Sequence, residues 1–171
     1  DIAGAKKLLA DAGFPNGIEL TVFPSSLEPT WTPIAEVVQQ QVAAAGIKVN
    51  IQVAPSDGYW SDVWMKKDVA MTRWNQRPAD QALNEIYHSG AKWNESYYKN
   101  PKFDAILESA RKELDFEKRK AIYQSAQNML WEDSGTLIPY TVSKLIATTA
   151  RVNNLDKVEN WSVRWHKITV N

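Results

Sequence analysis

Two alternating segments with an amphipathic helix between them constrain the fold of this chain most. Residues 18–23 and 47–53 place apolar side chains at every second position, as a β-strand with one buried face does. Between them, residues 34–45 carry an apolar helical face that Gly46 ends. This order predicts a βαβ unit with parallel strands. Because strands covered on both faces are usually apolar throughout, the alternation predicts a sheet face that is partly wet or covered by a domain outside this chain.

The remaining periodicity predicts an α/β fold in which helices flank a mixed, mostly parallel sheet in three layers. We expect one lobe over residues 1–171, with an irregular tail over residues 151–171. Predicted helices cover residues 2–12, a segment beginning with Thr32 as N-cap and Pro33 as first helical residue, residues 57–67, Asp80 to about His88, and segments that follow Asn100 and Asp115. Predicted strands beyond the βαβ unit are residues 69–74, an edge strand at 137–140 and residues 145–148.

Composition excludes several classes of function. Twenty basic and twenty acidic residues cancel, which argues against a nucleic-acid partner or a polybasic membrane patch. Cys is absent, so thiolate catalysis and sulfur-ligated zinc are excluded, and His88 and His166 lie too far apart in sequence to suggest a metal site. No glycine-rich phosphate loop, His-Glu-x-x-His motif or nucleophile elbow is present. We therefore expect no metal, no cofactor and no enzymatic activity.

The segment 69–80 carries the candidate binding site. It begins as an apolar strand, and Pro78 excludes helical geometry from the residue before it, so the strand must end there. An indole, two amides, a guanidinium and a carboxylate then follow at the carboxyl end of one strand. In open α/β sheets ligands bind at that end. We expect these side chains to form a ligand-facing lip.

Each candidate residue also has a purely structural interpretation. Trp74 could stack on a ligand or cap the end of the sheet as part of the core. Arg77 could clamp an anionic group or form a surface ion pair. Asp80 could bind a ligand or serve only as a helix N-cap, and Asn75 could contact a ligand or supply turn chemistry. Trp93 could form a wall of the cleft or lie in a loop over the core.

The order of four segments resembles a known family. Residues 5–17 resemble a helix-to-strand opening, residues 41–49 a helix-to-second-strand turn, residues 100–107 a late helix start, and residues 119–132 with Ile138 and Pro139 a last long helix and strand. Together they resemble the carboxy-terminal lobe of the extracytoplasmic solute-binding proteins of ABC importers, the dipeptide, oligopeptide and nickel family, also called family 5. The resemblance implies the type II periplasmic binding fold and covers roughly residues 2–150.

The resemblance also implies a function and partners. It implies a periplasmic or otherwise extracytoplasmic protein, or a membrane-anchored lipoprotein, that closes two lobes on a peptide or a similar small zwitterion or anion. It would then dock on the transmembrane subunits of an ABC permease. This chain would be one lobe of a longer, processed or cut protein whose amino-terminal lobe has no counterpart here. In peptide-binding members an acidic residue in the corresponding loop pairs with the α-ammonium of the peptide, and Asp80 is the nearest candidate.

Two other functions remain open from the sequence. The first is a sensory ligand-binding domain of a transcription regulator, since a solute-binding lobe can be fused to a DNA-binding module. The second is a small α/β enzyme. A helix-turn-helix in the parent reading frame would favour the regulator, whereas a secretion signal would favour import.

Overall fold

The structure is a computed structural model that describes residues 1–143, 145–155 and 165–171. The contacts between Cα atoms divide the chain into two compact units, Asp1–Arg73 and Trp74–Asn171, and each is described by itself. Within the described ranges, no helix is both long enough and apolar enough to cross a bilayer.

The first unit contains the predicted βαβ arrangement. Its strand β1 (Ile18–Phe23) pairs in parallel with β2 (Ile47–Ile51) on one side and with β3 (Val69–Ala70) on the other, in the order β2-β1-β3. The expectation of parallel strands around a helix is therefore confirmed. The elements of this unit are α1 (Ile2–Asp11), β1 (Ile18–Phe23), α2 (Trp31–Ala43), β2 (Ile47–Ile51), α3 (Tyr59–Asp62) and β3 (Val69–Ala70).

Two glycines allow β1 and β2 to start side by side. Gly17 and Gly46 have φ values of +93° and +92°, which side chains rarely adopt. A Cβ atom on Gly17 would collide with the carbonyl oxygen of Gly46. The amide of Ile18 donates to that same oxygen at 3.1 Å. The close approach of the two turns thus sets the register in which Ile18 faces Ile47.

The hydroxyl group of Tyr59 connects the last residue of β1, Phe23, with Met71, the residue that follows β3. Tyr59 is 1% exposed, and its Oη lies 2.9 Å from the carbonyl oxygen of Phe23 and 2.8 Å from that of Met71. The amide of Met71 donates to the same hydroxyl at 3.0 Å. Since β3 pairs with β1 over only two residues, this side chain supplies hydrogen bonds that a longer strand would make for itself.

The second unit is mainly helical. Its buried cluster joins Leu83 of α4 (Ala79–Ile86), Phe103 and Leu107 of α5 (Pro101–Lys112), and Ala126 and Leu130 of α6 (Phe116–Asp133). A two-stranded antiparallel ribbon lies within the segment that was expected to be an irregular tail. The elements are α4 (Ala79–Ile86), α5 (Pro101–Lys112), α6 (Phe116–Asp133), β4 (Val152–Asn153), a 3-10 helix (Trp165–Lys167) and β5 (Thr169–Val170).

Two helix starts differ from the prediction. Helix α2 begins at Trp31 after Thr30, not at Pro33 after Thr32. Proline is tolerated there because the first backbone N–H groups of a helix have no partner within it. Helix α4 begins at Ala79 after Pro78, so the prediction that Asp80 is its N-cap is wrong. The extended ψ of Pro78, 148°, suits the position before a helix, and other groups bind the Asp80 carboxylate.

Several predicted elements are shorter or absent. The helix over residues 57–67 is limited to Tyr59–Asp62, and the strand over residues 69–74 to Val69–Ala70. The strands predicted at 137–140 and 145–148 are wrong, since neither segment forms a ladder. A segment with the composition of a strand forms one only where a partner backbone lies beside it. Trp161, in the predicted irregular tail over residues 151–171, lies outside the described residues.

Candidate binding site

Five side chains were predicted to form the site, and all belong to the second unit, of which Trp74 is the first residue. The rings of Trp74 and Trp93 lie with their centroids 5.9 Å apart and their planes tilted by 45°. Trp93 is 45% exposed, and Trp74 is half-buried. The structure therefore brings together the two indoles that sequence reasoning placed in one site.

A buried asparagine shapes the loop that carries Trp93. The Asn94 amide donates to the carbonyl oxygen of Tyr98 at 2.6 Å and accepts from the Tyr98 amide at 3.0 Å. It also donates to the carbonyl oxygen of His88 at 3.3 Å. These bonds fold residues 88–98 back on themselves, because one side chain satisfies backbone groups at both ends of the loop.

Glu95 extends from the same loop to the first indole. Its Oε1 accepts a hydrogen bond from Trp74 Nε1 at 2.8 Å. A charge-assisted bond to a half-buried indole fixes the orientation of the ring. Sequence reasoning missed Glu95, since 21 residues separate it from Trp74 and no short-range pattern connects them.

Arg77 lies against the aromatic pair and is already paired with an acid. Its guanidinium carbon is 4.9 Å from the centroid of the Trp74 ring, within the range of a cation–π contact. Its Nε lies 3.1 Å from Glu85 Oε2, and the side chains of the two residues are 23% and 33% exposed. Its Nη1 donates to the carbonyl oxygen of Asn75 at 3.4 Å. Glu85 therefore compensates the positive charge of Arg77, which was expected to clamp an anion. The side chain of Asn75 is exposed.

Asp80 binds side chains from two other helices. Its Oδ1 accepts from Arg111 Nε at 2.8 Å and from Tyr123 Oη at 2.8 Å, and its Oδ2 accepts from Arg111 Nη2 at 3.2 Å. Within α4, Asn84 Nδ2 donates to Oδ1 at 3.0 Å. The hydrogen bond from Arg111 lowers the pKa of Asp80. Burial, followed by the bond to Asp80, raises the pKa of Tyr123 to about 12. The carboxylate is thus ionised and held by α5 and α6.

Chemically, the cluster offers aromatic surface and polar groups. Among the residues that the structure describes, no three His, Asp or Glu side chains are placed to hold a metal ion. The indole pair presents flat apolar surface to a ligand, and Asn75 adds an exposed amide. Four residues with contacts in this cluster were not predicted as parts of the site: Glu85, Glu95, Arg111 and Tyr123.

Comparison with solved structures defines the class of protein. The periplasmic binding protein DppA from Helicobacter pylori, in complex with the peptide STSA, superposes with a TM-score of 0.66 at 30% identity, over 76% of this chain and 27% of that one. The substrate-binding protein CtaP from Listeria monocytogenes gives 0.66 at 28% identity, over 76% and 28%. The fold is that of the type II periplasmic binding proteins, which confirms the predicted fold class.

Comparison of sequences shows the family. A family model described as bacterial extracellular solute-binding proteins, family 5, middle region, matches residues 1–95. The glutathione-binding protein GsiB of Pectobacterium atrosepticum is 30% identical over 146 residues, 78% of this chain and 28% of that protein. The GsiB of Escherichia coli K12 is 30% identical over 164 residues, 88% and 32%. The chain belongs to the family 5 solute-binding proteins, as the resemblance predicted, and it spans about a third of the length of these curated relatives.

Proposed function

We propose that this chain is part of the solute-binding component of an ABC importer and captures a peptide or a similar small zwitterion or anion. The observation that carries the proposal is the pair formed by Trp74 and Trp93, with Arg77 against it, in a member of the family 5 solute-binding proteins. Relatives that bind glutathione or a peptide support this class of ligand. A family composed of solute-binding proteins supports a binding role over a catalytic one.

The proposed mechanism is closure of two lobes on the solute. This chain supplies one lobe, and the remainder of a longer parent protein supplies the other, since the curated relatives are about three times as long. Closure removes water from the solute and shifts the population from open to closed, which the permease then senses. We place the parent protein outside the cytoplasm, in the periplasm or on a lipid anchor.

Within this lobe, we propose that Trp74, Trp93, Asn75 and Arg77 contact the solute. The exposed face of Trp93 offers stacking area, and the exposed Asn75 amide offers both a donor and an acceptor. Arg77 offers a solute the N–H groups that its ion pair with Glu85 and its hydrogen bond to Asn75 leave available. Asp80 as partner of a ligand ammonium stays a prediction; an ammonium would have to share the carboxylate with Arg111.

Calorimetry on two proteins tests the proposal. The probes are glutathione and the peptide STSA, and the proteins are this chain and the parent protein that contains it. We expect binding to the parent that weakens by about tenfold or more on Trp93→Ala, because a buried aromatic contact of this size contributes about 1.5–3 kcal/mol. We expect weak or no binding to the 171-residue chain, because in the proposed mechanism the other lobe supplies the rest of the cleft.

Arg77→Ala and Asp80→Ala complete the series. Each should weaken binding to the parent if its charge contacts the solute, and Tyr140→Phe, an exposed position on another segment, is the matched control. Tight binding by the isolated chain would overturn the two-lobed mechanism, and binding by the parent that is indifferent to the Trp93 and Arg77 variants would overturn the proposed site. Turnover of a probe by the parent would instead favour an enzyme.

A further inference from the structure

Three helices of the second unit meet at one carboxylate. Asp80 is the second residue of α4, Arg111 lies in the last turn of α5, and Tyr123 lies in α6. Arg111 engages both oxygens of the carboxylate, at 2.8 Å and 3.2 Å, while Tyr123 donates to one of them at 2.8 Å. A two-pronged guanidinium contact fixes direction as well as distance. The first turn of α4 is therefore held at a defined position on the other two helices.

Helix α4 also contacts one of the proposed binding residues, Arg77. Glu85, five residues after Asp80 on α4, lies 3.1 Å from Arg77, and Arg77 lies 4.9 Å from the Trp74 ring centroid. Only Pro78 and Ala79 separate Arg77 from Asp80 along the chain. A shift of the first turn of α4 would move both the backbone next to Arg77 and the acid that pairs with it.

The contribution of this network to stability is small compared with that of the core. The side chains of Arg111 and Asp80 are 54% and 42% exposed, and ion pairs with such exposure stabilise folded proteins little. The three helices are already joined through buried apolar side chains, among them Leu83 of α4, Leu107 of α5 and Leu130 of α6. Apolar contacts are non-directional, whereas the bonds to Asp80 select one orientation of α4. The network therefore acts mainly on geometry.

We propose that Arg111 and Tyr123 are positioning residues for the solute site. Through Asp80 they fix the first turn of α4, and through α4 they set the placement of Arg77 against the Trp74 indole, without touching the solute themselves. This inference rests on the proposed function only for its consequence on binding. Its structural part concerns the placement of two side chains and can be measured without a ligand.

The first experiment measures that placement by NMR on the 171-residue chain. The signals are the Trp74 indole N–H, assigned with Trp74→Phe, and the Arg77 Nε–H, assigned with Arg77→Lys. We expect Tyr123→Phe and Arg111→Gln to shift both signals, while the indole N–H of Trp31 in the first unit stays in place. Arg111→Lys should shift them as well, because it keeps the charge and loses the fork.

Two matched controls separate positioning from general disturbance. Arg119→Gln removes an arginine that bonds to the carbonyl groups of Glu113 and Leu114 between α5 and α6, and Tyr140→Phe removes an exposed hydroxyl. Neither should shift the Trp74 or Arg77 signals. If Tyr123→Phe and Arg111→Gln shift them no more than these controls do, the proposal is overturned, whatever happens to binding.

The second experiment measures the consequence for binding, with glutathione and the peptide STSA as probes and the parent protein as receptor. We expect Arg111→Gln and Tyr123→Phe to weaken binding by at least about threefold while the urea midpoint stays near that of Arg119→Gln. Unchanged affinity together with shifted NMR signals would overturn the link to binding. Failure of the unmodified parent to bind either probe would count against the proposed function instead, and the NMR result would still decide the positioning.

Discussion

Removal of one oxygen atom should loosen the end of the parallel sheet. In Tyr59→Phe the ring keeps its contacts with Trp31 and Trp60, at centroid distances of 5.2 Å and 5.5 Å. The variant loses only the hydroxyl, which bonds to the backbone of Phe23 and Met71. Since the site of the change is 1% exposed, water does not readily replace the missing group.

The magnitude follows from the groups left without a partner. The Met71 amide loses its acceptor, and an orphaned buried donor costs about 1–3 kcal/mol. The hydroxyl proton serves the carbonyl groups of Phe23 and Met71 one at a time, so its loss removes the net worth of one further hydrogen bond, about 1 kcal/mol. The sum, about 2–4 kcal/mol, is a large part of the stability of about 5–15 kcal/mol that is typical of a domain.

Urea unfolding with Trp fluorescence measures this loss. With a slope of about 2 kcal/mol/M, the midpoint should fall by about 1–2 M without a change in slope. Amide hydrogen exchange at Met71 should accelerate more than exchange at Leu107 in the second unit. Tyr140→Phe, at an exposed position, should change the free energy of unfolding by less than about 0.5 kcal/mol. A loss in Tyr59→Phe as small as in this control would refute the argument that the hydroxyl replaces strand pairing.

Three further variants test the second unit. Asp80→Asn should lower the free energy of unfolding by about 1 kcal/mol or less at pH 7. Because Arg111 lowers the pKa of Asp80, the contribution of this carboxylate to stability is present above its unfolded pKa of about 4 and is lost as the pH falls through its folded pKa. The variant should therefore lose less stability in acid than the unmodified chain, as urea unfolding at a series of pH values from 7 to 2 would measure. Asn94→Ala should lower the free energy of unfolding in urea by about 2–4 kcal/mol, because it leaves the backbone amide and carbonyl of Tyr98 without their hydrogen-bond partner. The same variant should change the near-ultraviolet circular dichroism that arises from Trp93. Leu107→Ala, at a position with no exposure, should cost about 2–5 kcal/mol in the same assay.

The parts of the fold that could be predicted are those with local causes. Asn100 before Pro101, and Asp115 before Phe116, both begin helices as predicted, and each side chain accepts backbone amides of its own first turn. The alternation of residues 18–23 likewise predicted β1 with its observed bounds. In these cases the chemistry that decides the structure lies within a few residues of sequence.

The incorrect predictions concern elements that depend on distant partners. The segments 137–140 and 145–148 have an apolar composition typical of strands, yet they form no ladder, because pairing needs a second backbone that local sequence does not specify. Asp80 has the composition of an N-cap, but Arg111 and Tyr123, 31 and 43 residues away, bind its carboxylate. Once a side chain has partners at such separations, its role cannot be read from its neighbours in sequence.

In the proposed site, the charges favour recognition by shape over recognition by net charge. Each of the two charged residues predicted to face a solute has an internal counter-ion: Glu85 for Arg77 and Arg111 for Asp80. A charged solute gains only the difference between its own contact and the one it displaces, so the Coulombic gain is small. Trp93 has no charge that needs a counter-ion and is 45% exposed, so a solute that stacks on it displaces no ion pair. Affinity should therefore depend more on the flat and apolar parts of a solute than on its charge, and binding should weaken little between low and moderate salt.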